Sequence, residues 1–187
     1  MFECHLYVGC MFSGKSSELL RQYGRYNAIG KRVLMVNHTI DTRTQDFVET
    51  HNHNRQVAIK TNKLCKLIDE KIVYNYDVIC IDEGQFFADL REFILKLEHT
   101  DKIIYIAGLD GDSERKPFGQ ILDCITLCDT VVKLRALDMV DCDGNTKAPF
   151  TKRYVKKTNA QIQVGAEECY KAVSRENYLK DDISDVM

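Results

Sequence analysis

The sequence predicts an α/β fold, in which helices flank a twisted parallel β-sheet. Two observations indicate this class. Short, continuously apolar segments, such as residues 103–107, alternate with segments whose apolar residues recur at intervals of three and four. Parallel strands need helical crossovers and are buried on both faces, which explains both the alternation and the continuous apolar runs.

Each element follows from its local pattern of apolar residues. Apolar runs predict strands at residues 5–8, 32–36, 56–60, 77–81 and 102–107. Helical spacing predicts helices at residues 16–28, 62–73, 88–98 and 120–127. In the first helix Leu19, Leu20 and Tyr23 share one face, and we expect Gly30 to end it. Residues 41–54 are polar and lack a clear period, so we expect a loop there.

The character of the chain changes after Leu137. The helical period is lost, polar residues dominate, and Asp143-Gly144-Asn145 predicts a turn. We therefore predict a main α/β domain at residues 1–136 and a small appended subdomain at residues 137–178. The acidic residues 179–187 are expected to form a flexible tail.

The overall composition is that of a globular protein without a strongly charged partner. The 187 residues are 44% hydrophobic and 29% charged, and the net charge is −2, which favours neither nucleic acid nor a membrane surface as partner. No apolar run is long enough to span a bilayer, and the N-terminal residues lack a signal-peptide pattern. We therefore expect a cytoplasmic protein. Its eight cysteines lack the spacing of a disulfide scaffold, so we expect reduced thiols.

A glycine-rich loop follows the first predicted strand. Residues 9–16 match G-x-x-x-x-G-K-[ST] at every fixed position, between a strand and a helix. Such a loop points successive N–H groups into one cavity at a helix N-terminus, where an anion is favoured. We expect it to bind the phosphates of ATP through Gly9, Met11, Phe12, Ser13, Gly14, Lys15 and Ser16. Together with the alternating elements, it predicts a P-loop NTPase-like nucleotide-binding domain.

Two carboxylates close the predicted strand at residues 77–81. Ligands of parallel sheets gather at the carboxyl ends of the strands, where Asp82 and Glu83 lie. We expect Asp82 and the Ser16 hydroxyl to hold Mg²⁺, and Glu83 to act as a general base. From these residues alone, the attacking oxygen belongs either to water, as in an ATPase, or to a substrate hydroxyl, as in a kinase.

Two further segments carry charges that suit a phosphate site. Asp41 can join the metal shell and Arg43 can reach a phosphate, although a solvated turn explains both residues equally well. Arg115 begins a basic segment that is either a cationic lid over the transferring phosphate or an ordinary basic loop.

Four segments, in this order, resemble the cellular and viral thymidine kinases of the P-loop class, often called type II: residues 9–16, 41–43, 81–87 and 109–118. The Asp-Glu-Gly-Gln-Phe-Phe string at 82–87 is the most specific of them, and the match covers roughly residues 4 to 178. The resemblance implies transfer of the ATP γ-phosphoryl group to the 5′-hydroxyl of thymidine with Mg²⁺, and Glu83 as the base.

The resemblance also implies a nucleoside site and an assembly. The thymine is expected to be enclosed by a small C-terminal "lasso" subdomain, whose loop corresponds to about residues 151–170. The nucleoside-binding residues implied are Met11, Phe86, Leu109, Phe118, Thr151, Val164, Gly165 and Tyr170. A homotetramer and feedback inhibition by thymidine triphosphate are expected as well.

The sequence departs from the family at a metal site. The family usually pins the lasso with a structural zinc held by two pairs of cysteines. Asp138 and Asp141 stand at the first pair, and Ser174 and Asn177 at the second, and serine and asparagine are poor zinc ligands. We therefore predict no structural zinc. Packing, subunit contacts or a bridge between Cys142 and Cys169 under oxidising conditions are the candidate replacements.

A second departure concerns substrate range. Ser113 stands where the family often carries an aromatic residue, which predicts a looser base pocket. The competing hypotheses are therefore a deoxynucleoside kinase of broader specificity, a P-loop ATPase in which Glu83 activates water, and a nucleotide-binding regulatory protein without catalysis.

Overall fold

A computed structural model describes residues 1–41, 47–49, 55–154 and 169–180. Its strands are β1 (Glu3–Gly9), β2 (Val33–His38), β3 (Phe47–Glu49), β4 (Arg55–Val57), β5 (Ile59–Thr61), β6 (Val78–Ile81), β7 (Ile103–Gly108), β8 (Thr130–Leu134), β9 (Ala136–Leu137), β10 (Lys147–Ala148), β11 (Phe150–Arg153) and β12 (Tyr170–Val173). Its α-helices are α1 (Lys15–Ala28), α2 (Cys65–Asp69), α3 (Leu90–Leu97) and α4 (Arg175–Leu179). Short 3₁₀ helices lie at Ile72–Asn75, Gly84–Phe86 and Leu122–Leu127.

The predicted parallel sheet is confirmed. Six strands in the order β5-β2-β6-β7-β1-β8 pair in parallel throughout. Alternate residues of β6 face opposite sides, so Ile79 packs with Phe93 of α3 while Cys80 packs with Leu19 of α1. The sheet is thus covered by helices on both faces, as expected for a P-loop NTPase-like α/β fold. Among the described residues, no helix has the length and apolarity needed to cross a membrane.

Several element predictions are wrong in detail. The predicted helix at 62–73 ends early, because Lys71 adopts a left-handed conformation with φ 59°. The predicted helix at 120–127 is a 3₁₀ helix over Leu122–Leu127. The predicted loop at 41–54 contains β3, which pairs antiparallel with β4. The predicted strand at 56–60 is divided into β4 and β5 around the buried Ala58.

The region after β8 consists of small antiparallel pairs and one short helix. Strand β9 pairs with β10, and β11 pairs with β12. Ala148 and Ala172 of this region pack against Cys10 of the glycine-rich loop. The turn predicted at Asp143 is confirmed, because its carboxylate accepts hydrogen bonds from the amides of residues 145 and 146. The domain division at residue 137 stays a prediction, and residues 181–187 of the predicted tail lie outside the described residues.

A buried carboxylate organises this C-terminal region. Asp138 is only 3% exposed, and its Oδ2 accepts hydrogen bonds from Ser174 N at 2.5 Å and Asn177 Nδ2 at 3.0 Å. Its Oδ1 accepts from Val140 N at 2.7 Å and Asp141 N at 3.1 Å. Burial raises the pKa of Asp138, but these hydrogen bonds together hold it well below its ordinary value.

Three of the four positions at which the family carries zinc cysteines are therefore joined by direct hydrogen bonds. Ser174 also caps α4, because its Oγ accepts a hydrogen bond from Asn177 N at 3.2 Å. Within the part of the chain that the structure describes, no three His, Cys, Asp or Glu side chains form a group that could hold a metal ion. All eight cysteines, Cys142 and Cys169 included, are unbridged thiols.

Candidate active site

The glycine-rich loop connects β1 to α1 and has the geometry of a phosphate cradle. Gly14 caps α1 in a left-handed conformation with φ 85°, and Glu18 N donates to its carbonyl at 2.9 Å. Gly9 lies so close to β8 that a Cβ atom would stand 2.5 Å from the carbonyl oxygen of Leu134. Ser16 lies in the first turn of the helix, where backbone N–H groups and the helix dipole favour an anion.

Two groups in this loop fit a phosphate ligand. Ser13 Oγ is buried and has no hydrogen-bond partner among the described residues, which is unusual for a buried hydroxyl. Lys15 Nζ donates to Cys10 O at 2.7 Å inside the loop. Lys15 keeps some exposed surface, yet burial among protein atoms lowers the pKa of its ammonium group, and the carboxylates of Glu83 and Asp82 oppose that shift. Glu83 exerts the largest effect of any carboxylate on Lys15.

The acidic pair lies at the carboxyl end of β6, as predicted. Asp82 is 4% exposed, and its Oδ1 accepts a hydrogen bond from Glu83 N at 3.0 Å. Glu83 has a left-handed backbone with φ 54°, which non-glycine residues seldom adopt. Its Oε2 accepts a hydrogen bond from Gln85 Nε2 at 2.5 Å. Because β6, β7 and β1 are parallel neighbours, this pair and the glycine-rich loop share one edge of the sheet.

Asp41 lies at the same edge, after the neighbouring strand β2. It is buried, and its Oδ2 accepts a hydrogen bond from Asn37 Nδ2 at 2.9 Å. The Lys60 ammonium group donates to the Asp41 carbonyl oxygen. Hydroxyl and carboxylate oxygens of the kind that Ser16, Asp82 and Asp41 carry are the ligands that Mg²⁺ prefers. The predicted phosphate contact Arg43 lies outside the described residues.

The basic segment at 115–118 is docked on the C-terminal region. The Arg115 guanidinium lies 4.3 Å from the ring centroid of Tyr178 and 5.5 Å from that of Phe150. The Tyr178 hydroxyl donates to Ser113 O at 2.8 Å. In this structure Arg115 is therefore stacked on aromatic rings, and its use as a phosphate lid stays a prediction.

The structure brings together two pairs of the predicted nucleoside residues. Met11 N donates to Thr151 Oγ1 at 2.9 Å, which ties the glycine-rich loop to β11. Phe86 and Phe118 pack edge to face with ring centroids 5.5 Å apart. Leu109 lies directly after β7 at the same edge of the sheet.

The other predicted nucleoside residues are less closely connected. The Tyr170 hydroxyl accepts a hydrogen bond from Arg153 Nη2 at 2.6 Å, across the β11–β12 pair. Val164 and Gly165 lie outside the described residues. Sequence reasoning missed Gln85 and Asn37, which hold Glu83 and Asp41, because both hydrogen bonds depend on the fold. The only available signal for Gln85 was its place in the 82–87 string.

Comparison with known proteins identifies the family of the chain. A family model described as thymidine kinase matches residues 2–178. The chain belongs to the thymidine kinase family. The thymidine kinase of Raccoon poxvirus is 40% identical over 176 residues, which cover 94% of this chain and 96% of that protein. The thymidine kinase of Vaccinia virus (strain Western Reserve) is 38% identical over 174 residues, covering 93% and 95%. The resemblance found in the sequence is thereby confirmed.

Proposed function

We propose that the chain transfers the γ-phosphoryl group of ATP to the 5′-hydroxyl of thymidine, giving thymidine 5′-monophosphate and ADP. The observation that carries this proposal is the convergence at Lys15. Its ammonium group interacts with the carboxylates of Glu83 and Asp82, beside a loop whose Ser13 hydroxyl lacks a partner among the described residues. An anion seated there would lie between a phosphate cradle and a candidate base.

The chemistry needs positioning and charge neutralisation rather than covalent catalysis. Glu83 accepts the proton of the 5′-hydroxyl as its oxygen forms a bond to the γ-phosphorus and the bond to the β–γ bridging oxygen breaks. Lys15 and the loop N–H groups stabilise the phosphate oxygens, with Arg43 as a further candidate. Ser16 and Asp82, with Asp41, would hold Mg²⁺, which neutralises charge on the phosphates when bound.

The nucleoside side of the site follows the family's positions. We assign the thymidine to a slot near Met11, Leu109, Phe86 and Phe118, closed by Thr151 and the segment that carries Val164, Gly165 and Tyr170. An apolar slot with few polar contacts suits a pyrimidine base. The pairs Met11–Thr151 and Phe86–Phe118 support this assignment.

The remaining properties rest on the sequence and its resemblance. We propose that no structural zinc is bound, since Asp138, Ser174 and Asn177 already satisfy one another by hydrogen bonds. A homotetramer, inhibition by thymidine triphosphate and a cytoplasmic location remain predictions.

A nucleoside panel tests the proposal. Purified protein is incubated with ATP and Mg²⁺, with thymidine, deoxyuridine, deoxycytidine or no nucleoside, and both ADP and nucleoside monophosphate are measured. We expect ADP to form with thymidine in a one-to-one ratio with its monophosphate, and little ADP without nucleoside. Equal ADP formation in all arms would establish the ATPase alternative, and similar turnover of all three nucleosides would establish a broader kinase. Nucleotide binding without turnover would indicate a regulatory protein.

A further inference from the structure

The side chain of Gln85 connects the candidate base to the end of the neighbouring strand. Gln85 is 3% exposed and lies in the 3₁₀ helix that follows Glu83. Its Oε1 accepts a hydrogen bond from Leu109 N at 2.9 Å, and its Nε2 donates to Glu83 Oε2 at 2.5 Å. Both ends of one buried amide are thus used, one toward the base and one toward a predicted nucleoside residue.

Two glycines pack tightly around Gln85. A Cβ atom at Gly119, whose φ is +57°, would stand 2.0 Å from the carbonyl oxygen of Gln85. A Cβ atom at Gly108 would stand 2.9 Å from Gln85 Oε1 and 2.6 Å from Ile121 Cδ1. Protein interiors packed this closely allow a side chain few alternative rotamers. The Gln85 amide is therefore held in place on several sides.

Glu83 needs such support. Its left-handed backbone costs of the order of 1–3 kcal/mol for a non-glycine residue, so surrounding contacts must maintain it. Asp82 supports the backbone by accepting from Glu83 N. Gln85 contacts the carboxylate itself, and an amide donates to it without adding a charge to the site.

We propose that Gln85 is a positioning residue, which aims the Glu83 carboxylate at the phosphoryl acceptor and keeps it in register with Leu109. This inference rests on the proposed function, in which Glu83 is the base. A small displacement of a reacting group is costly, since about 1 Å of misplacement can lower a rate about 100-fold. The role predicts an effect on kcat that a purely structural residue would not produce.

Two substitutions separate the two ends of the amide. Gln85→Glu keeps an acceptor for Leu109 N but replaces the donor to Glu83 with a second carboxyl oxygen. We expect kcat to fall about 10- to 100-fold, with the KM values for thymidine and ATP within about twofold of wild type. Gln85→Met removes both hydrogen bonds, and we expect the same fall in kcat together with a higher KM for thymidine.

The matched control is Gln120→Glu. Gln120 Oε1 accepts a hydrogen bond from Arg91 N, which a carboxylate can also accept, so kcat is expected to be unchanged. Thermal unfolding and ATP binding of all variants report whether they are folded. A Gln85→Glu protein that is folded, binds ATP and keeps wild-type kcat would overturn the proposal.

A double-substitution cycle with Glu83 provides the decisive readout. If Gln85 acts through Glu83, Gln85→Glu lowers kcat in the wild type but leaves the residual kcat of Glu83→Gln unchanged within about twofold. An equal fall in both backgrounds would show that Gln85 acts elsewhere, and the positioning role would be wrong. A Glu83→Gln enzyme with wild-type kcat would instead refute the proposed base, a failure that this arm detects separately.

Discussion

Replacement of Asp138 by asparagine removes the charge from the carboxylate that joins β9 to α4. The side chain keeps its size, but one oxygen becomes an amide nitrogen that faces donors. Of the four hydrogen bonds that Asp138 accepts, the two at that atom are lost. A hydrogen bond to a charged group contributes about 1.5–3 kcal/mol, so the loss of two predicts a decrease of at least about 3 kcal/mol in the free energy of unfolding.

Thermal unfolding followed by circular dichroism measures this change. At about 2–4 °C per kcal/mol for a chain of this size, the unfolding midpoint at pH 7 should fall by about 6–12 °C. The KM for thymidine should also rise, because β12 pairs with β11, whose Thr151 holds the glycine-rich loop through Met11.

The same experiment has a pH dependence of known sign. The folded pKa of Asp138 lies well below the ordinary value of 3.8, so its stabilisation is fully present above about pH 4. It is lost as the pH falls through the folded pKa. The difference between wild type and Asp138→Asn should therefore be constant from pH 5 to 7, on the same scale of reference pKa values, and shrink in more acidic solution.

Asp141→Asn is the control for this prediction. Asp141 is exposed, and only its backbone N–H contacts Asp138, so the midpoint should move by less than about 0.5 kcal/mol equivalent. An Asp138→Asn protein with the stability of this control would refute the reasoning. One tightly bound zinc ion per wild-type chain, measured by metal analysis, would contradict the replacement of zinc by hydrogen bonds.

Three other substitutions test single contacts. Lys15→Met should lower the rate of phosphoryl transfer at least about 100-fold, measured by product formation at saturating ATP, because a charge beside the transferring group is lost. Thr151→Val leaves Met11 N without its acceptor, which costs about 1–3 kcal/mol, and calorimetric unfolding together with the thymidine KM should show lower stability and weaker binding. Ser174→Ala removes the cap of α4 at Asn177 N and should lower the unfolding midpoint by about 2–4 °C.

The elements with strong local patterns could be predicted from the sequence. The glycine-rich loop occupies consecutive residues, and its neighbours in the chain are also its neighbours in the sheet. The predicted strand at 77–81 is the buried β6, because continuous apolar residues are required by a strand covered on both faces. Strand β8 was missed because it is an edge strand, whose Val131 and Val132 remain partly exposed and give no such pattern.

The contacts that hold the site together could not be predicted in the same way. Gln85 meets Leu109 across 24 positions, and Asp138 meets Ser174 across 36. Such pairs become neighbours only after strands have paired, so local periodicity carries no information about them. Arg115 illustrates the same limit, since its charge suggested a phosphate contact while the fold stacks it on Tyr178.

Single-turnover transfer from ATP labelled at the γ-phosphate tests the central claim most directly. With excess enzyme, Mg²⁺ and thymidine, the label should move to thymidine 5′-monophosphate in the wild type. In Glu83→Gln, transfer should be at least about 100-fold slower while ATP still binds with wild-type affinity. Wild-type transfer by Glu83→Gln, or release of the label as inorganic phosphate at the same rate without thymidine, would contradict the account.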